Sequence, residues 1–147
     1  MFKHILVPTD GSNLSQAAVS RAVLFAKGIG ARVTAFSAQS ESPVGYYGEG
    51  MAIDSMMKVR CAEIAEQHAK ESLDFVETLC KDAGVSCTRL TLISNLPYEA
   101  IIEAATKSGC DLIFMASHGR RGFSGLLLGS ETSKVLTHSK IPILVYR

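Results

Sequence analysis

The stretch from Ala116 to Ser130 concentrates the residue types that can do chemistry. Gly119, Gly122, Gly125 and Gly129 punctuate it, Arg120 and Arg121 supply two cations, and Ser130 heads a predicted helix. Glycine lets backbone N–H groups close on a ligand without a Cβ in the way. A helix N-terminus adds free N–H groups and partial positive charge. These features together suit an anion, phosphate first among them; the plain alternative is a tight turn with solvated arginines. The sequence G-x-x-x-x-G-K-[ST] does not occur, which excludes a Walker-type NTPase. Gly119, Gly122 and Gly125 are spaced G-x-x-G-x-x-G after the fourth predicted strand, so a dinucleotide fingerprint is disfavoured.

Other reactive side chains are scattered. His118 has no second histidine, cysteine or carboxylate near it in sequence, and a lone loop histidine is usually structural or solvated. His4, His68 and His138 are dispersed and suggest no metal site. Cys61, Cys80, Cys87 and Cys110 contain neither C-x-x-C nor zinc spacing, which fits reduced, mostly buried thiols. With no general base, nucleophile or ligand cluster in view, efficient catalysis is not expected.

The elements that must position these residues follow from punctuation and period. Ile5 to Val7 reads as a buried strand closed by Pro8. Ser12 to Ser15 opens a helix carrying Ala18, Ala22, Leu24, Phe25 and Ile29, stopped by Gly28 and Gly30. Arg32 to Ala38 is a second strand. Gln39 to Gly50, with Pro43 and the pair Tyr46-Tyr47, is a long loop of the kind that often serves as a lid or binding element. A strongly helical pattern runs from about Asp54 to Asp82, its face marked by Met57, Cys61, Ile64, His68, Ser72, Phe75, Val76 and Leu79, and ends at Gly84. Val85 to Ile93 is a third strand. Asn95-Leu96-Pro97 opens a helix that ends at Gly109. Asp111 to Ala116 is a near-continuous apolar strand, Ser130 to Ser139 a short helix, and Ile143 to Tyr146 a last strand after Pro142.

Alternating strands and helices imply a parallel sheet covered on both faces. In such sheets ligands sit beyond the carboxyl ends of the strands, where the strand order reverses. That rule selects Pro8 to Gly11, Ala38 onward, and Ala116 to Ser130. For Asp10 the local reading is ordinary turn and cap chemistry.

The 147 residues suit a single domain, with 47% hydrophobic and 20% charged residues in the globular range. The net charge of +1 gives no general grip on nucleic acid or an acidic membrane. No apolar run approaches the ~20 residues of a membrane span. The start shows no signal-peptide cleavage pattern, so the expected compartment is the cytoplasm.

At this point a resemblance becomes specific. Universal stress proteins carry G-x-x-G, nine residues, then G-[ST] after their fourth strand, and Gly119, Gly129 and Ser130 fit that spacing. Val7 to Ser12 resembles the family's first strand and loop, and Ile141 to Arg147 its last strand. The resemblance covers residues 1–147 as one domain. It implies a five-stranded parallel sheet in the order 3-2-1-4-5, Rossmann-like, with helices on both faces. It also implies a homodimer and a regulatory, stress-response role; the last strand, Ile143, Leu144, Val145 and Tyr146, begins after Pro142 and is expected at a sheet edge, where an apolar strand needs a second copy to cover it. The implied ligand is ATP, with AMP or ADP as relatives and Mg accompanying ATP. Asp10 would face the ribose hydroxyls, with Pro8 and Thr9 shaping that wall. The backbone near Ala38 would read the adenine edge, and Met115 would pack under the nucleoside. Gly119, Gly129 and Ser130 would cradle phosphates, with Ala116, Arg120, Glu131 and Thr132 completing the site. A slow ATPase and a nucleotide-free dimer are the alternatives. Ala116 stands where the family has its first motif glycine. A backbone-only contact would tolerate the methyl group, whereas a positive φ there would cost about 1 kcal/mol or more.

Overall fold

A computed structural model describes residues 1–40, 55–119 and 128–147. The Tyr46-Tyr47 loop and Arg120, both singled out in the sequence, lie outside the described residues. The elements are β1 (His4–Pro8), α1 (Asn13–Ile29), β2 (Arg32–Gln39), α2 (Ser55–Ala83), β3 (Cys87–Ile93), α3 (Pro97–Lys107), β4 (Leu112–Ala116), α4 (Ser130–His138) and β5 (Ile143–Tyr146). The strands form one sheet in the order β3-β2-β1-β4-β5, and each pairing is parallel. The expected fold class and strand order are therefore correct.

Successive side chains on a strand point to opposite faces, and here both faces are apolar. Ile5, Val7, Val33, Ala35, Leu112 and Phe114 pack against Val19, Ala22, Val23 and Ala26 of α1 and Leu73, Val76 and Cys80 of α2. Leu6, Phe36, Ile113 and Met115 pack on the other side with Ala100, Ile101, Ala104 and Ala105 of α3 and Val135 of α4. Fully burying a Val, Ile or Phe side chain contributes about 1.5–3 kcal/mol, so continuous apolar runs at β1 and β4 can be explained only by a two-sided core. Alanines at 22, 26, 104 and 105 are fully buried and let the helices approach the sheet closely.

The helix ends share one closure. After α1, Gly30 takes φ 70° and Ala31 N–H donates to the Ala26 carbonyl (2.9 Å). After α2, Gly84 takes φ 72° and Val85 N–H donates to the Cys80 carbonyl (2.8 Å). Left-handed backbone is what glycine supplies without a Cβ penalty. This closure moves two sequence readings. Gly28 lies inside α1 rather than stopping it. Val85 belongs to the cap of α2, so β3 begins at Cys87.

The buried face of α2 also differs from expectation. Ala69, Ser72, Leu73, Val76 and Cys80 are buried, whereas Met57 and Ile64 are exposed, as are Met56 and Val59. The apolar period continues through the whole helix, but among the described residues the sheet lies only under its second half. Arg89 of β3 ties that half down by donating to Asp74 and to Glu77 (3.0 Å) on α2.

Candidate functional site

β1 and β4 are neighbours at the centre of the sheet, yet their following helices lie on opposite faces. Their carboxyl ends therefore part, and the crevice between them is the place where this class of sheet receives a ligand. The loops leaving β1 and β4, residues 9–12 and 117–119, form its two walls.

The first wall is held by its own hydrogen bonds. Thr9 N–H extends the ladder by donating to the Phe36 carbonyl (2.8 Å). The buried Thr9 hydroxyl accepts from Ser15 Oγ (2.8 Å) and from Gly11 N–H (3.2 Å). Asp10 Oδ1 accepts Ser12 N–H (3.0 Å), and Ser12 caps α1 by accepting Ser15 N–H (3.3 Å). The turn-and-cap reading of Asp10 is thus real. Oδ2 faces Gly119: a Cβ built on Gly119 would lie 2.6 Å from it. Gly11 has φ 76°, and a Cβ there would lie 2.6 Å from Ser72 Oγ and 2.9 Å from His68 Cε1. α2 therefore packs directly on the β1–α1 turn through two polar side chains. Sequence reading missed that placement of His68 and Ser72. Their i, i+4 spacing says they share a helix face, but nothing local says which loop that face meets.

The second wall starts with Ser117, whose N–H donates to the Tyr146 carbonyl (2.7 Å) and whose carbonyl accepts Gly129 N–H (2.7 Å). Gly129 is the N-cap residue of α4, and no side chain caps that end. A Cβ on Gly129 would lie 3.1 Å from the Ser117 carbonyl oxygen and 3.3 Å from His118 Cα. The glycine is needed because two backbone segments touch there. Its own N–H is spent on Ser117, so the donors left at the head of α4 are the N–H groups of Ser130, Glu131 and Thr132. His118 Nδ1 meets Ser117 Oγ at 3.0 Å, while its buried Nε2 has no partner among the described residues.

The remaining expected site residues take distinct places. Pro8 ends β1 opposite Phe36. Ala38 and Met115 lie on the face covered by α3 and α4, with Met115 buried beside Leu6, Phe36 and Ile101. Ala116 ends β4 opposite Tyr146, and among the described residues no residue other than glycine has positive φ. Alanine at this position therefore carries no backbone strain. Ser130 is exposed at the first position of α4. Thr132 is buried, and its hydroxyl donates to the Ala116 carbonyl (3.0 Å). The Glu131 carboxylate accepts Tyr98 N–H (2.9 Å) in the first turn of α3 and Lys134 Nζ (2.9 Å). The side chains of Thr132 and Glu131 thus brace α4 against β4 and α3, which leaves their backbone N–H groups to face a ligand.

Three displaced pKa values lie at the opposite end of the strands. Burial lowers the His4 imidazole, with Arg32 adding to it, and its Nε2 meets Thr34 Oγ1 at 2.8 Å. Burial pushes the Cys110 thiol up to about 11. Burial would raise Asp111, but the backbone N–H groups of His4 and Lys3 outweigh it and hold the carboxyl below its ordinary value. Among the described residues no cluster of His, Cys, Asp or Glu could hold a metal ion. No helix among them is long and apolar enough to cross a membrane.

A five-stranded parallel α/β sheet in the order β3-β2-β1-β4-β5, with a crevice between β1 and β4 bordered by an aspartate turn and a glycine-capped helix, defines a Rossmann-like domain. The family profile of the universal stress proteins matches residues 1–147, and the chain belongs to that family. Universal stress protein MJ0531 of Methanocaldococcus jannaschii is 32% identical, over 100% of this chain and 83% of its own length. The solved structure of MJ0577 from the same organism superposes with a TM-score of 0.81 at 26% identity, covering 99% of this chain and 95% of that one. A universal stress protein crystallised in complex with cAMP shares the fold, with a TM-score of 0.72 at 24% identity, covering 99% of this chain and 97% of that one.

Proposed function

We propose that this universal stress protein binds an adenine nucleotide, ATP foremost, in the crevice between β1 and β4, and acts as a regulatory, stress-response module. The observation that carries the reading is the Asp10 carboxylate. Oδ1 is fixed by Ser12 N–H, while Oδ2 stands at the Gly119 backbone where the two walls meet. A carboxylate held this way accepts ribose hydroxyls in strong, charge-assisted bonds. The uncapped head of α4, with the Ser130, Glu131 and Thr132 N–H groups, suits the phosphates. Ala38 and Met115, on one face of the sheet, supply the wall for the base. The cAMP complex of the fold relative supports an adenine ligand.

Competition calorimetry with ATP, AMP, GTP and tripolyphosphate tests this. Backbone N–H groups do not distinguish one triphosphate from another, so discrimination must come from the base. A mismatched buried donor–acceptor pair costs about 1–3 kcal/mol. ATP should therefore bind at least about tenfold more tightly than GTP, the factor that 1.4 kcal/mol sets. Equal affinities would reduce the crevice to an anion hole and overturn the reading. AMP in the series counts how much the phosphates contribute, and Mg added with ATP shows whether the cation takes part.

The proposal extends to a homodimer through β5 in the cytoplasm. Pro142 and Tyr146 carbonyls bond inward to β4 through Ile113 and Ser117 N–H groups (2.9 and 2.7 Å). By alternation, the backbone groups of Ile143 and Val145 point to the free edge of the sheet. An exposed apolar edge is a liability unless another chain covers it, and a second copy related by a two-fold axis would do so.

A further inference from the structure

The half of α2 that is fixed to the sheet is also the half that meets the β1–α1 turn. Ala69, Leu73, Val76 and Cys80 are buried in the core, and Arg89 of β3 holds Asp74 and Glu77. His68 and Ser72, four residues apart and so on one helix face, lie against the Gly11 backbone. A Cβ on Gly11 would stand 2.6 Å from Ser72 Oγ, 2.9 Å from His68 Cε1 and 3.3 Å from His68 Nε2. Ser72 is buried, and its hydroxyl donates to the His68 carbonyl (2.9 Å), which fixes the oxygen where the turn meets it. The turn itself is shaped by bonds within the β1–α1 connection. Gly11 N–H donates to Thr9 Oγ1 (3.2 Å), Gln16 Nε2 to the Gly11 carbonyl (3.4 Å) and Ser12 N–H to Asp10 Oδ1 (3.0 Å). Thr9 N–H ties the start of the connection to Phe36. Beyond Thr9 the chain leaves the sheet, and there it rests on His68 and Ser72.

We propose that His68 and Ser72 are positioning residues for the nucleoside: they back the Gly11 peptide and so hold the Asp10 carboxylate where it accepts the ribose hydroxyls. The inference rests on the reading of the crevice as an adenine-nucleotide site, and it gives α2 a part in that site. Close-packed interiors pass a displacement on rather than absorb it. With the imidazole or the hydroxyl removed, the Gly11 peptide relaxes toward α2. Asp10 moves with it, because Oδ1 is bonded to Ser12 N–H inside the same turn. Oδ2 then leaves its place at the Gly119 backbone. The phosphate end is braced separately. Thr132 holds α4 to the Ala116 carbonyl, and Glu131 holds it to Tyr98 N–H. A change on α2 should therefore be felt by the nucleoside half of a ligand and not by its phosphates.

Calorimetry with adenosine, ATP and tripolyphosphate tests this on the full chain in a cycle of His68→Ala, Asp10→Ala and the double variant. His68→Ala should weaken adenosine and ATP by at least about threefold, the lower end of effects passed through a packed contact, and leave tripolyphosphate unchanged. In the Asp10→Ala background the same change should leave ATP affinity where Asp10→Ala alone puts it, because the residue acts through that carboxylate. His68→Gln, with a polar side chain of similar reach, should recover most of the loss. Ser72→Ala should repeat the pattern across the three ligands, and it keeps the question answerable if His68→Ala does not fold. An equal loss in both backgrounds, a matching loss of tripolyphosphate binding, or adenosine affinity indifferent to His68 and Ser72 would overturn the proposal. An unmodified chain that binds tripolyphosphate but not adenosine would overturn the nucleotide reading itself, and this inference with it.

Discussion

Asp10 and Gly119 touch across the crevice between β1 and β4: a Cβ on the glycine would sit 2.6 Å from Asp10 Oδ2. The two residues are 109 positions apart, and their contact joins the loops after the first and fourth strands. Gly119→Ala should push the carboxylate off its position, because the Asp10 side chain is short and its other oxygen is engaged by Ser12 N–H. The expected outcome is an ATP affinity lower by at least about tenfold, or about 1.4 kcal/mol. Asp10→Ala should weaken ATP and adenosine alike, because the proposed partner is the ribose. Calorimetry with both ligands checks this; loss of ATP binding with adenosine unaffected would assign the carboxylate to the phosphates instead.

Gly129→Val tests the other wall, with two readouts. The new side chain meets the Ser117 carbonyl oxygen at 3.1 Å from its Cβ, and forced overpacking costs about 1–3 kcal/mol. Thermal melts should show that loss, and titration should show ATP affinity down at least about tenfold. A folded variant with unchanged affinity would place the phosphates away from the head of α4.

Val145→Pro addresses assembly. The Val145 backbone points away from β4, so proline there removes a donor from the free edge and spares the bonds from Ser117 and Ile113 to β5. Light scattering should show a dimer for the unmodified chain at micromolar concentration and a shift toward monomer for the variant. A monomeric unmodified chain would count against pairing through β5.

The pH dependence of stability should have two acid limbs. His4 is held below its ordinary 6.5 in the folded chain, so as pH falls below 6.5 the unfolded chain takes up a proton that the folded chain resists. Its contribution is full above 6.5 and is lost as pH drops toward the folded value. Asp111 is held below 3.8, so its contribution is full above 3.8 and is lost as pH falls through its lower folded value. Melting temperatures across a pH series should lose the upper limb in His4→Gln, which keeps a donor for Thr34, and the lower limb in Asp111→Asn. An unchanged upper limb in His4→Gln would assign it to another group.

The order of elements and the parallel sheet were legible in the chain because they rest on local signals. Apolar runs at Ile5–Val7 and Leu112–Ala116 can only be strands covered on both sides, and Gly30, Gly84 and Gly109 end helices wherever they occur. The glycines at 119 and 129 likewise mark close approaches, to Asp10 and to the Ser117 backbone, because a Cβ would not fit there. What lay beyond reach were relations between segments far apart in the chain. Periodicity assigned Met57 and Ile64 to a buried face of α2, but burial depends on what lies beneath, and among the described residues the sheet lies only under the other half of the helix. Glu131 and Thr132 belong to the matching motif, yet their side chains answer to Tyr98 and Ala116, partners that only the packing of α4 on α3 and β4 brings within hydrogen-bond range. The same holds for Ala116, where strand geometry removed any demand for positive φ, and for His68 at Gly11. Local chemistry sets which backbone conformations are cheap, and it does so residue by residue. Which side chain answers which distant group is decided by the summed packing of both cores, and no single stretch of sequence carries that information.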